Sequence, residues 1–302
     1  MKHNLISFAC IGFLLMGILT GCEGQKATAL VNTLTFDTGD FRSLRLDYDA
    51  DDIHVLESDN GNVILKEYMN EDKKSYYART STQNGELLIT EGDRPKSSSF
   101  ESYIEIYIPQ DYTASLSLHS SSGTINSDIV LNLSGDFSVD TTSGVVEVSN
   151  TKASNIKAIS TNGSLYFENI DADEVNIQTT NATTSINQIN GTISYQSKGG
   201  KLTASDIRGS GSFNASGDGS INISFTDVTS DISAYSKNGT LMVTLPNELA
   251  FKFSATTKEG SIDTSFTDKI AITANTAAGT VGASPEIAIE LETRNGDIKV
   301  SR

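Results

Sequence analysis

The sequence predicts an all-β chain: a repeat β-solenoid (β-helix-like) of about ten rungs of roughly 19 residues, with a β-rich cap at its N-terminal end. Three observations carry that expectation. Glycine returns at a near-constant interval, at Gly123, Gly144, Gly163, Gly200, Gly219, Gly239, Gly260, Gly279 and Gly296. With Thr184 filling the one gap, the spacings run from 16 to 21 residues. Two places after every one of these positions stands an aliphatic residue: Ile125, Val146, Leu165, Ile186, Leu202, Ile221, Leu241, Ile262, Val281 and Ile298. Seven and five places before most of them stand further apolar residues, such as Leu116 and Leu118 or Phe137 and Val139, with polar residues between; Phe213 comes one place late.

Such alternation turns one side of each strand inward and the other to water. A single rung cannot bury its inward side alone, but stacked copies bury a continuous column. Glycine suits the corner because it takes positive φ without a Cβ clash. Ten rungs at about 4.8 Å would make a rod on the order of 45–50 Å long. The competing architecture is an antiparallel roll or sandwich of hairpins, which Asn-Gly at 162–163, 238–239 and 295–296 would suit. Columns repeated in register favour the solenoid.

The chain begins with Lys2 and His3, an apolar stretch from Leu5 to Leu19, and then Thr20-Gly21-Cys22. Fifteen residues make a helix of about 22 Å, short of the roughly 30 Å hydrocarbon core of a bilayer. Residues 1–21 therefore read as a secretory signal with small residues before Cys22, as in the lipobox of bacterial lipoproteins. Cleavage after Gly21 would leave Cys22 as an acylated N-terminus, and residues 22–29 as a tether. An uncleaved anchor, or an ordinary signal with an incidental cysteine, is the alternative. The only other cysteine, Cys10, lies inside the signal, so the mature chain would have neither disulfide nor thiolate metal site.

The formal charge of −16 becomes −17 once Lys2 is removed. So acidic a surface repels nucleic acid and anionic headgroups, which leaves the lipid anchor to hold the membrane. Residues 30–114 are less regular but alternate over Phe41–Leu46 and Tyr103–Pro109, and they are expected to cap the stack ahead of the repeat at 115–302.

Ile106-Tyr107-Ile108-Pro109, then Leu116-Ser117-Leu118-His119-Ser120-Ser121-Ser122-Gly123-Thr124-Ile125, resemble the DUF4097 family of candidate adhesins. So do Thr141-Thr142-Ser143-Gly144-Val145-Val146, and Leu245-Pro246 followed by Phe253 to Ile262. The likeness spans roughly residues 40–302. It implies a β-repeat fold and a surface role, and it supplies no catalytic motif.

No catalytic, cofactor or metal site is expected. Asp47, Asp49, Asp51 and Asp52 offer oxygen ligands for a hard cation but read as a solvated loop edge. Asp171, Asp173 and Glu174 read as an exposed corner, and Gly217-Asp218-Gly219 is one copy of what calcium-binding repeats show many times. His54 and His119 have no ligating neighbours in sequence, and no Gly-x-Ser-x-Gly precedes a helix. The better lead is aromatic: Tyr76, Tyr77, Tyr103, Tyr107 and Tyr112 share the N-terminal third with Lys66, Lys73, Lys74, Arg79 and Arg94, a mixture that binding surfaces favour. The same tyrosines equally suit cap packing.

The expected function is a non-enzymatic, lipid-anchored envelope protein presenting a rigid binding surface to an envelope protein or an extracellular glycan. The alternatives are an envelope-stress or signalling accessory and a carbohydrate-active β-helix. The last rung stops at Arg302, four residues after Ile298, which suggests an open C-terminal edge for self-association.

Overall fold

In a computed structural model, residues 28–302 are described. The expected signal, its cleavage point and Cys22 lie outside them. The described chain is a three-faced β-solenoid. Each full rung runs along a first face, turns at the glycine corner, runs along a second face and returns by a short third face. In the middle of the rod the strands Val145–Ser160, Ser164–Thr179, Thr183–Ser197, Lys201–Ala215 and Ile221–Ser236 pair in parallel, each with the next. The hairpin architecture is therefore excluded for the interior, and antiparallel pairing is confined to the two ends.

Inward columns of stacked side chains make the core, three of them on the first two faces at the positions the spacing marks. Leu116, Phe137, Ile156, Val175 and Ile193 stack on the first face beside Leu118, Val139, Ala158, Ile177 and Tyr195. On the second face Ile125, Val146, Leu165, Thr184, Leu202, Ile221 and Leu241 stack in turn. All are buried.

The register corrects the sequence reading at four places. Leu165 pairs with Thr184 and Thr184 with Leu202, so Thr184 stands in the aliphatic column and Ala182 occupies the glycine corner. Val175 and Ile177 then precede that corner by seven and five places. In the slipped rung Gly211 stands in the column of Ile193 and Phe213 in that of Tyr195. The extra residue lies between this strand and Gly219.

The second correction concerns why glycine is needed. The corner glycines do not adopt positive φ. A Cβ on Gly144 would instead run into the carbonyl oxygen of Gly123, and one on Gly163 into that of Gly144. Close stacking of backbone on backbone excludes the side chain. Positive φ belongs to the next corner, at Asn150, Asn169, Gln188 and Asp206 (φ 52–56°). Asparagine and aspartate tolerate this region better than most residues.

Third, Gly279 marks no rung. It lies within Thr276–Val281, which runs antiparallel to Phe251–Thr257 and to Ile270–Thr273. Fourth, the C-terminus is not an open edge. Strand Ile298–Ser301 is held between Leu241–Thr244 and Ile262–Thr264. The chain skips one slot after the Gly239 rung, builds the outer rung around Gly260 and the hairpin beyond it, and then returns to fill the gap. The other end follows the same plan. Ser43–Tyr48 and Asp52–Ser58 form the rung next to Gly123, while Glu86–Thr90 and Ser102–Pro109 stack outside it. Residues 30–114 thus supply two rungs as well as the terminal hairpins.

The second-face sheet has thirteen strands, from Ala29–Asp37 through Asn62–Met69, Ser102–Pro109 and Asp52–Ser58 to Ile262–Thr264. At about 4.8 Å per strand it is on the order of 55–60 Å long.

Candidate binding surface

The glycine corner is held by hydroxyls the sequence places three residues ahead. Ser120, Thr141, Ser160, Ser197, Ser236 and Thr257 each accept a hydrogen bond from the N–H of the glycine three residues on, at 2.8–3.1 Å. Where Ala182 replaces glycine, the Thr179 hydroxyl is left without a partner. Outside the core, polar side chains form ladders at the rung spacing. Asn169 donates to Asn150 at 2.7 Å, Asn295 to Asn238 at 2.7 Å, and Lys152 to Asp171 at 2.7 Å.

The outward side of the second face carries one continuous row. Pairing places Lys66 beside Glu105, Glu105 beside His54, and then Asn126, Glu147, Tyr166, Ser185, Thr203, Asn222, Met242, Lys299 and Asp263 in succession. Alternation with the buried residues on either side fixes every one of these outward. Tyr166 is 42% exposed and lines a shallow trough with Glu147, Glu168, Asn126 and Asn187.

At the cap end this face becomes aromatic. The rings of Tyr68 and Tyr103 stack at 4.5 Å and 6°, and His54 meets Tyr103 edge-on at 5.8 Å. Glu105 accepts hydrogen bonds from Tyr68 (2.9 Å) and Tyr107 (2.8 Å), while Lys66 stands over the Tyr107 ring at 4.2 Å. Partial burial, then the bond to Glu105, raises the phenol pKa of both tyrosines, so both remain neutral donors. The structure thus gathers Lys66, Tyr103, Tyr107 and His54. Sequence reading missed Tyr68, although the alternation Ile64-Lys66-Tyr68 opposite Tyr103-Glu105-Tyr107 carries the signal.

The other candidates are elsewhere. Tyr112 is buried, packs against Phe41 and donates to the Ser115 carbonyl at 2.7 Å. Tyr77 bonds Asp72, and Tyr76 packs edge-on against Phe100 beneath Lys73. Arg79 pairs with Asp93 at the surface. Arg94 is a structural cation rather than a surface one: its side chain is 4% exposed and pairs with both Asp51 and Glu67.

The first acidic cluster is dispersed among separate partners. Asp47 bonds Arg45 (3.1 Å), Asp49 bonds Lys96 (2.5 Å), Asp51 pairs with Arg94, and Asp52 accepts from the Thr124 N–H (2.6 Å). The bond from Lys96 holds the Asp49 carboxyl below its ordinary range. Residues 49–52 and His54 line a cleft of about 760 Å³ together with Glu91, residues 94–98 and residues 100–103. Asp171 is likewise held low by Lys152, and Glu174 accepts from Asn176 at 3.2 Å. His119 faces outward between Asp47 and Asp140, 3.9 Å from each. Among the described residues no group of histidine, cysteine, aspartate or glutamate is arranged to hold a metal ion. No described helix is long and apolar enough to cross a membrane.

The sequence model of the family described as Toastrack DUF4097 matches residues 41–301. The chain belongs to that family. The solved structures it is similar to are of low identity. A candidate adhesin from Bacteroides fragilis NCTC 9343 is 13% identical, over 89% of this chain and 96% of that one, with a TM-score of 0.47. A candidate lipid-binding protein from Parabacteroides distasonis ATCC 8503 is 16% identical over the same shares, with a TM-score of 0.45. A candidate adhesin from that organism is 14% identical, again over 89% and 96%, with a TM-score of 0.46. None of the curated proteins matches the chain. In this Toastrack chain the family match begins at Phe41, after the outermost cap strand Ala29–Asp37.

Proposed function

We propose that this Toastrack chain is a non-enzymatic protein of the bacterial cell envelope, exported and lipid-anchored through Cys22. Its rigid second face serves as a binding surface for adhesion or for an envelope contact. The observation that carries the reading is the straight outward row from Lys66 to Asp263, with the Tyr68–Tyr103 stack at one end and Tyr166 along it. Side chains locked at rung spacing on a packed rod lose little freedom on binding, which favours recognition of an extended partner. The stacked rings and Glu105 supply apolar contact and fixed acceptors, the combination enriched where proteins meet ligands.

The signalling-accessory reading draws support from the cleft at the cap end, which shares His54 and Tyr103 with the outward face but is otherwise lined by residues 49–52, 94–98 and their neighbours. Both readings require export and anchoring. Cys22→Ser in the full-length chain tests this: the protein is expected to leave the membrane fraction, and its retention there would contradict the anchor. Loss of cell-surface binding on Tyr166→Ala, at a residue of the outward row that does not line the cleft, separates the face from the cleft.

A further inference from the structure

The strand Ala29–Asp37 is the outermost of the second-face sheet, and among the described residues it pairs only with Asn62–Met69. Its other edge presents a row of N–H and C=O groups that no described strand pairs, and proteins ordinarily guard such an edge by shortness, charge or proline. The remaining terminal strands of the two long sheets are guarded. Arg79–Gln83 is polar and exposed throughout with a charge at its start, Ile262–Thr264 has three residues and carries Asp263, and Ile270–Thr273 has four. Ala29–Asp37 has nine residues and no charge or proline from Ala29 through Phe36. Leu30 is 50% exposed, and Leu34 and Phe36 pack on the core from its rim while staying half-buried. The edge is long, uncharged and incompletely covered.

We propose that this edge pairs with the same edge of a second copy, antiparallel about a two-fold axis at Leu34. The strand is self-complementary at that point. Thr33-Leu34-Thr35 reads the same in both directions, so Thr33 of each copy faces Thr35 of the other and Leu34 faces Leu34. Asn32, Leu34 and Phe36 share the inward side, opposite the buried Glu67, Leu65 and Val63, so the apolar rim of one copy continues into that of the other. Threonine pairs on the outward side are among the favourable cross-strand contacts. Each chain carries a formal charge of −16, and this is a stretch where two copies meet without opposing carboxylates. Strand addition of this kind gains main-chain hydrogen bonds along the edge, and closed two-fold pairing uses up this edge in both copies, leaving only the guarded ones.

The register makes the test specific. In the full-length protein, a Thr33→Cys chain mixed with a Thr35→Cys chain is expected to form a disulfide-linked dimer on mild oxidation. Either chain alone gives at most the background of the wild type, whose only cysteines are Cys10 and Cys22. Thr33→Lys/Thr35→Lys places like charges opposite each other on an exposed surface. By light scattering on the chromatographed protein it is expected to shift the mass from two chains to one. A wild-type protein of one-chain mass at all concentrations would overturn the proposal. So would single-cysteine chains that cross-link with themselves as well as the mixed pair does, or a lysine variant that stays at two-chain mass.

Discussion

The Arg94 guanidinium and the Glu67 carboxylate form an ion pair from which water is excluded, with side chains 4% and 0% exposed. Glu67 is saturated: it also accepts from Asn32 at 2.7 Å and from the Ala78 N–H at 2.9 Å. Arg94 also pairs with Asp51, donates to the Tyr76 carbonyl at 3.1 Å and lies over the Tyr48 ring. One side chain therefore ties the loop after Thr90 to the outermost strands and to the first corner of the stack. Removing one partner of such a group leaves a buried charge uncompensated. Arg94→Ala is expected to cost about 3–5 kcal/mol in denaturant unfolding. A cost under about 1 kcal/mol would mean that water reaches Glu67.

The corner glycines are predicted to matter for backbone proximity rather than for φ. Gly144→Ala drives a Cβ into the carbonyl of Gly123, whereas a Cβ on Gly61 meets nothing. Gly144→Ala should cost about 1–3 kcal/mol or more, as overpacking does. Gly61→Ala should stay within about 0.5 kcal/mol. Equal costs would contradict the rung stacking.

The buried tyrosine hydroxyls differ in a way thermal unfolding can read. The Tyr195 hydroxyl is buried without a partner, while that of Tyr112 donates to Ser115. Tyr195→Phe is expected to be neutral or stabilising, and Tyr112→Phe to cost about 1 kcal/mol.

Carboxylates of opposite tendency set the pH dependence. Hydrogen bonds lower Asp171 through Lys152, and Asp297 through the backbone N–H of Ser261, so their contribution is present above the ordinary aspartate value of about 3.9 and lost as pH falls. These groups lie at the surface, so salt shrinks the effect. Glu91 is raised, chiefly by burial, and works the other way. The folded chain holds its proton longer than the unfolded chain, so its contribution is complete below about 4.3 and falls as pH rises to its raised value. Glu91→Gln should therefore gain stability relative to wild type across that window and hold a constant difference above it. A difference that does not change with pH would contradict the burial of Glu91.

Much of the architecture is legible in the sequence because the inward columns are chemical: Ile125, Val146 and Leu165 announce their stacking by spacing alone. The out-of-order ends are not legible. Nothing in Ile289 or Ile298 says that their rung fills a slot between Gly239 and Gly260, since strand order is settled by long-range pairing rather than local pattern. The Thr184 misassignment has the same root: a buried threonine in an aliphatic column looks like a turn residue until its partners Leu165 and Leu202 are known. On the candidate surface, Tyr103 and Tyr107 stand out by composition. Tyr68 becomes visible only when its strand is set against theirs. Arg94 reads as surface charge because its partners, Asp51 and Glu67, lie 43 and 27 residues away in sequence.

The central claim is that the outward second face is where this protein meets its partner. It is tested most directly by a photo-crosslinking amino acid at Tyr166, with another at Tyr235 on the outward side of the first face, in intact cells. The account predicts a specific adduct from Tyr166 and none from Tyr235. Adducts from Tyr235 alone, or from neither site, would contradict it.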